Sequence, residues 1–143
     1  MSVSQALVQP TKTSQFWLGL AAYVVPSFPI GYFWHLTIFA PVYEELAIYR
    51  EDIIVPFGLL AMLIQGAAFS FVYPRVFSDR RPVLRNGLLY GLGVGLLAWS
   101  FMTLSVAAKN VMTSVPTYLL VETGFTLVQY AVAGPLIALA YRK

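Results

Sequence analysis

Four apolar stretches, each long enough to cross a bilayer, alternate with short segments that hold nearly all the charge, and that pattern leaves very few folds open. The stretches run over about residues 16–39, 53–73, 87–108 and 117–141. At a helical rise of about 1.5 Å per residue, roughly 20 residues cover the ~30 Å hydrocarbon core. Water is absent there, so backbone N–H and C=O groups must pair within the segment, which a helix does and an open strand does not. The expected fold is therefore all-α: a polytopic membrane protein forming one four-helix transmembrane bundle across residues 1–143. Composition agrees, with 59% hydrophobic residues, 10% charged residues and a mean hydropathy of +0.73. Soluble domains carry far more charge.

The first stretch continues through Pro26, Pro29 and Trp34 to Ala40, longer than a signal-peptide core, and is expected to be retained. Pro26 and Pro29 remove two backbone donors near mid-membrane, so a kink is expected there. Met1 to Gln15 reads as a flexible or interfacial lead, and Pro41 to Asp52 as a charged loop with room for a short interfacial helix. In that loop Glu44, Glu45, Glu51 and Asp52 lack calcium-loop spacing and read as a solvated face. Pro56 suits a first helical turn, and Pro74 is expected to close the second helix.

Nine Lys and Arg against six Asp and Glu give a formal charge of +3. The basic residues lie between apolar stretches rather than in one patch, so no nucleic-acid partner is expected and the charge reports orientation instead. Lys12, Arg75, Arg80, Arg81, Arg85, Arg142 and Lys143 fall on one side of a four-span chain, and Arg50 and Lys109 on the other. Seven against two places both termini in the cytoplasm and the acidic first loop outside, with the bacterial cytoplasmic (inner) membrane as the expected location.

Several chemistries lack their minimum parts. No cysteine is present, which excludes disulfides, thiolate metal sites and the quinone-linked disulfide enzymes built on four helices. A single histidine cannot ligate a haem from both faces, and neither HExxH nor GxSxG occurs. No catalytic residue, metal ligand or cofactor is assigned, and an enzyme is the less favoured class.

Glu122 is the most informative residue, since a carboxylate inside a span is costly and rarely faces lipid. Thr126 and Gln129 follow at plus four and plus seven, which puts all three on one face. Gln65 in the second helix lies at a depth close to Gln129, so an amide pair is expected, and His35 lies at a depth similar to Glu122. Burial disfavours an ionised carboxyl while an adjacent imidazolium favours it, a competition that suits proton exchange near neutral pH. Packing glue is the competing reading of the same residues. Gly87, Gly91 and Gly95 recur every fourth residue and form a side-chain-free face on helix three for close approach of another helix, within the chain or in a second molecule. A phosphate-binding reading of those glycines lacks its strand, lysine and acidic partner.

The segments RNGLLYGLGVGLLAWSFMTLSVAAKN and VETGFTLVQYAVAGPLIALAY, with FWLGLAAY and AAFSFVYP in helices one and two, resemble uncharacterised bacterial four-helix membrane families catalogued as domains of unknown function. The resemblance implies fold and topology and transfers no site.

Three functions remain open at this level. One is a structural or accessory subunit packing in a homo-oligomer or a larger membrane complex, with membrane lipid, itself or other membrane subunits as partners. Another is a small proton-coupled transporter or channel in which Glu122 titrates and oligomerisation completes the pathway; small multidrug exporters use one intramembrane glutamate, but on the first helix, where this chain has none. The third is a binder or enzyme for a lipid-soluble ligand held between helices.

Orientation is directly testable. Cysteines introduced as Ser2→Cys and Val83→Cys should react only with reagents that reach the cytoplasm, and Ala47→Cys from outside. Labelling of position 83 from outside intact cells would reverse the assignment.

Overall fold

A computed structural model describes residues 12–77 and 82–142 of the 143-residue chain. The first eleven residues of the lead, Arg80 and Arg81 of the second loop, and Lys143 lie outside the described residues. Everything described is helix or connection, with no strand among the described residues. The long helices α1 (Thr13–Ile38), α3 (Val55–Val76), α4 (Val83–Lys109) and α5 (Val115–Ala140) are each long and apolar enough to cross a membrane. A short helix, α2 (Ala40–Leu46), lies between α1 and α3. The chain is thus a multi-pass membrane bundle.

The helix ends follow local chemistry. Ser114 caps α5 by accepting from the Thr117 N–H at 3.4 Å, with Pro116 in the first turn. Pro56 opens α3 in the same way. Pro74 does not close that helix, which runs on to Val76, and α4 begins at Val83, four residues before its expected start. Both extensions carry polar turns beyond the apolar stretch, where water or headgroups replace hydrocarbon.

Pro26 and Pro29 both lie inside a single α-helical segment. The α-helix is continuous from Thr13 to Phe33 across both prolines, since each cancels a single backbone bond. A π turn follows at Trp34–Ile38, and α4 carries a second at Ser100–Leu104. Such turns insert an extra residue and gather at functional sites.

The dominant contacts are α4 on α5, then α1 on α3 and α1 on α5, whereas α3 and α4 scarcely touch. The tight pair rests on glycine. A methyl group built on Gly87 or Gly91 would strike the backbone of Pro135 or Tyr130, and one on Gly95 would come within 3.0 Å of the Tyr130 ring. Gly134 is the reciprocal contact, where the added methyl would sit 2.7 Å from the Gly91 Cα. The glycine face of α4 is therefore occupied within the chain. Trp99 adds a bond across the same pair, from its Nε1 to Thr123 Oγ1 at 3.0 Å.

At the terminal end of the bundle, where α1 starts and α5 finishes, Ser70 donates to the Phe16 carbonyl at 2.7 Å and Tyr141 donates to the Ser70 carbonyl at 2.6 Å. At the opposite, loop end, α2 turns back over α5 and buries Tyr43 and Leu46 against Tyr118 and Val121. Thr113 ties the α4–α5 connection to it, bonding from its N–H to the Leu46 carbonyl at 3.2 Å and from Oγ1 to the Glu45 carbonyl at 2.7 Å. Ala47 ends α2 in the left-handed conformation at φ 55°, at a cost of about 1–2 kcal/mol for a residue with a Cβ.

The glycine contact predicts a contrast within one helix. Gly91→Ala should lose about 1–3 kcal/mol or fail to fold, because the methyl meets backbone that cannot rotate away. Gly93→Ala, with nothing within 4 Å of its Cβ, should melt like the parent in detergent or nanodiscs. Equal melting of the two variants would disprove close α4–α5 packing.

Candidate functional site

Glu122 projects from α5 toward the loop end and is only 14% exposed at its side chain. Tyr43 of α2 donates its hydroxyl to Glu122 Oε1 at 2.5 Å. Burial pushes the Tyr43 phenol well above the ordinary tyrosine range, and the Glu122 carboxyl adds to the shift. The phenol stays a donor. His35, in the π turn of α1, brings Nδ1 to 3.7 Å from the same oxygen, too long for a hydrogen bond. That Nδ1 instead meets the Tyr49 hydroxyl at 2.7 Å. Tyr43 and Tyr49 stack with ring centres 4.8 Å apart and 8° between planes. Phe125 meets the imidazole edge-on at 4.4 Å. His35 and Glu122 are thus neighbours, each held by its own tyrosine.

The expected amide pair also forms around a tyrosine. Tyr23, fully buried in α1, donates to Gln65 Oε1 of α3 at 2.6 Å and accepts from Gln129 Nε2 of α5 at 3.1 Å. The Tyr130 hydroxyl lies 3.5 Å from the same oxygen. Thr126 takes a different role: its hydroxyl donates to the Glu122 carbonyl at 2.9 Å, one turn back, and so satisfies its own helix.

Between the two clusters is a cavity of about 370 Å³, bordered by α1, α3, α4, α5 and the segment after α2. Glu122, His35, Tyr49 and Arg50 lie around its loop end, and Gln65, Gln129 and Tyr130 around its inner end. Seven residues separate Glu122 from Gln129, about 10.5 Å of helix rise. The walls between are apolar, formed by Phe28, Ala61, Met62, Ala98, Met102 and Phe125. Such a volume falls in the ~300–1,000 Å³ range of small-molecule sites, which are mostly apolar with a few placed polar groups.

α3 and α4 both border the cavity and make little contact with each other. Toward the terminal end Tyr90 of α4 bridges the two helices, donating to the Phe69 carbonyl at 2.7 Å. Toward the loop end no hydrogen bond joins them among the described residues, and both helices line the cavity. Below Gln65 and Gln129 the bundle is filled by Tyr23, Tyr73, Tyr90, Tyr130 and Tyr141.

Tyr23, Tyr43, Tyr49 and Tyr130 are absent from the sequence-based set of site residues. Their signal was available: a buried tyrosine hydroxyl needs a partner, and the inward polar groups of neighbouring helices are the partners at hand. Among the described residues no group of three or more His, Cys, Asp or Glu side chains is arranged to hold a metal ion.

Fold and site together define an integral membrane protein of four apolar helices around an interhelical cavity. No family model matches the chain, and no curated protein or solved structure is significantly similar to it.

Tyr23→Phe would leave both amides without their shared partner and should destabilise the protein by about 1–3 kcal/mol. Tyr32→Phe, on a ring 46% exposed that makes no hydrogen bond among the described residues, is the control and should change little. Matching thermal stabilities for the two would show that the hydroxyl does not organise the inner cluster.

Proposed function

We propose that this protein binds a lipid-soluble, amphipathic small molecule, drawn from the bilayer through the gap between α3 and α4. The observation that carries this reading is the 370 Å³ cavity, apolar along its walls and polar at both ends. A molecule with a flat apolar body and a polar group at one or both ends fits that pattern, since its body replaces lipid contacts while its polar ends find partners absent from hydrocarbon. Location in a bacterial cytoplasmic membrane, with both termini inside, rests on the count of basic residues in the loops.

Two other readings rank lower. A structural or accessory subunit drew on the glycine face and the abundant aromatics for contact with a second molecule; the glycine face is taken up by α5, which leaves the exposed aromatics. Proton-coupled transport through Glu122 needs a path to both sides of the membrane; within one chain the cavity ends at Gln65, Gln129 and Tyr130 beside the packed tyrosines, so that reading depends on a second copy to complete the path.

Blocking the cavity tests the proposal. Gly58 lines it, and an added Cβ meets nothing within 4 Å, so Gly58→Trp fills the space without striking backbone. The parent protein, purified in mild detergent, should carry an organic-soluble compound in near-stoichiometric amount by mass spectrometry. The variant should fold with unchanged helicity and lose it. Equal retention by the variant, or a parent accompanied only by bulk lipid, would remove the proposal.

A further inference from the structure

The hydrogen-bond arithmetic of the inner cluster defines the head of that molecule. Tyr23 has one hydroxyl proton to give, and it sits between two primary amides. In the structure Gln65 meets it with its carbonyl and Gln129 with its NH₂ group, with the Tyr130 hydroxyl 3.5 Å from the same oxygen. The remainder follows directly. The first amide keeps its NH₂ unspent, and the second keeps its carbonyl unspent. In the geometry observed these are Nε2 of Gln65 and Oε1 of Gln129, neither of which has a hydrogen-bond partner among the described residues.

Both glutamines border the cavity and both are fastened to one oxygen. One amide donor and one amide acceptor are thus left at the same end of a largely apolar space. Leaving such groups unpaired at membrane depth is costly, so a partner is favoured. Of the threonines on the cavity wall, Thr126 has its hydroxyl turned back onto its own helix.

Resting on the ligand-binding reading above, we propose that Gln65 and Gln129 recognise a ligand head in which a carbonyl and an N–H or O–H group are adjacent, as on the edge of a lactam or a carboxylic acid. The ligand carbonyl accepts from Gln65, and its donor meets the Gln129 carbonyl. Tyr23 is the positioning residue that fixes both amides. The body of the ligand then lies along Phe28, Met62 and Phe125 toward Glu122 and His35.

Three probes test this on the protein in nanodiscs: an alkylated 2-quinolone, its N-methyl derivative, and the corresponding alkylnaphthalene. The first has the adjacent carbonyl and N–H, the second keeps only the carbonyl, and the third has neither. Trp34 packs against the cavity-lining Phe125 at 6.1 Å between ring centres, so saturable quenching of tryptophan fluorescence above that of probe partitioned into the lipid reports occupancy. The quinolone should bind about tenfold tighter than its N-methyl derivative, the equivalent of one net hydrogen bond. The preference should fall to within about twofold in Gln65→Leu and in Gln129→Leu. Binding of the alkylnaphthalene should be the same in all three proteins. Probe comparison on the unaltered protein decides the matter even if a leucine variant does not fold.

If all three probes bind the parent equally and all are lost in Gly58→Trp, the cavity binds ligands but the amides do not read their heads, and this inference is overturned alone. Should no probe bind saturably, the inference and the cavity reading fall together. A quinolone preference that persists unchanged in both leucine variants would place recognition elsewhere, and that too overturns it.

Discussion

A hydroxyl or amide placed at membrane depth finds no water, and the interior of this bundle is arranged around that restriction. Lipid tails are as apolar as leucine, so burying a leucine between helices gains little over leaving it in lipid. The side chains are distributed accordingly. Leu97, Phe101 and Leu120 are 71%, 78% and 75% exposed, whereas Tyr23, Tyr73 and Tyr141 are fully enclosed. Cohesion comes from backbones brought close by glycine and from hydroxyls that reach across helices. Tyrosine serves both needs, filling volume with its ring and closing a hydrogen bond at its tip.

The cavity follows from how that cohesion is shared out. Glycine draws α4 onto α5, hydroxyls join α1 to α3, α1 to the middle of α5 and α3 to the end of α5, and α3 meets α4 through Tyr90 and its neighbours. Four helices joined along three seams leave the fourth open. Because Tyr90 closes that seam near the terminal end, the open part lies toward α2, where the Thr113 bonds and the buried Tyr43 and Leu46 keep the short helix over the α5 start. The polar groups at the two ends of the space are then fixed by tyrosines from α1 and α2 rather than by each other.

Much of this was legible in the sequence, because membrane depth converts position along a helix into height. The spans appear as uninterrupted apolar runs, and counting from their ends brought Glu122 to the level of His35 and Gln129 to the level of Gln65. Depth does not give rotation about the helix axis. That is why the sequence suggested that each pair would meet directly, whereas Tyr43, Tyr49 and Tyr23 stand between or beside them. Thr126 shared the right face yet turned its hydroxyl inward to its own backbone, a choice set by a nearby carbonyl and invisible to periodicity. Gly134 was readable as the small residue facing the glycines of α4, but only once the two helices are known to be partners. Helix ends shifted where polar turns continue beyond the hydrocarbon, as at Val76 and Val83.

The two π turns have a mechanical consequence for the space they border. Each holds one residue more than a regular turn, and each contributes to the cavity wall, through His35 and Leu36 in α1 and through Met102 and Thr103 in α4. The facing stretches of α3 and α5 are regular helix with a full ladder. The cavity thus has two regular walls and two with a spare residue of slack. Adjustment to occupants of different width falls on the slack pair, by a local change of winding, while the glutamine-bearing walls hold their spacing.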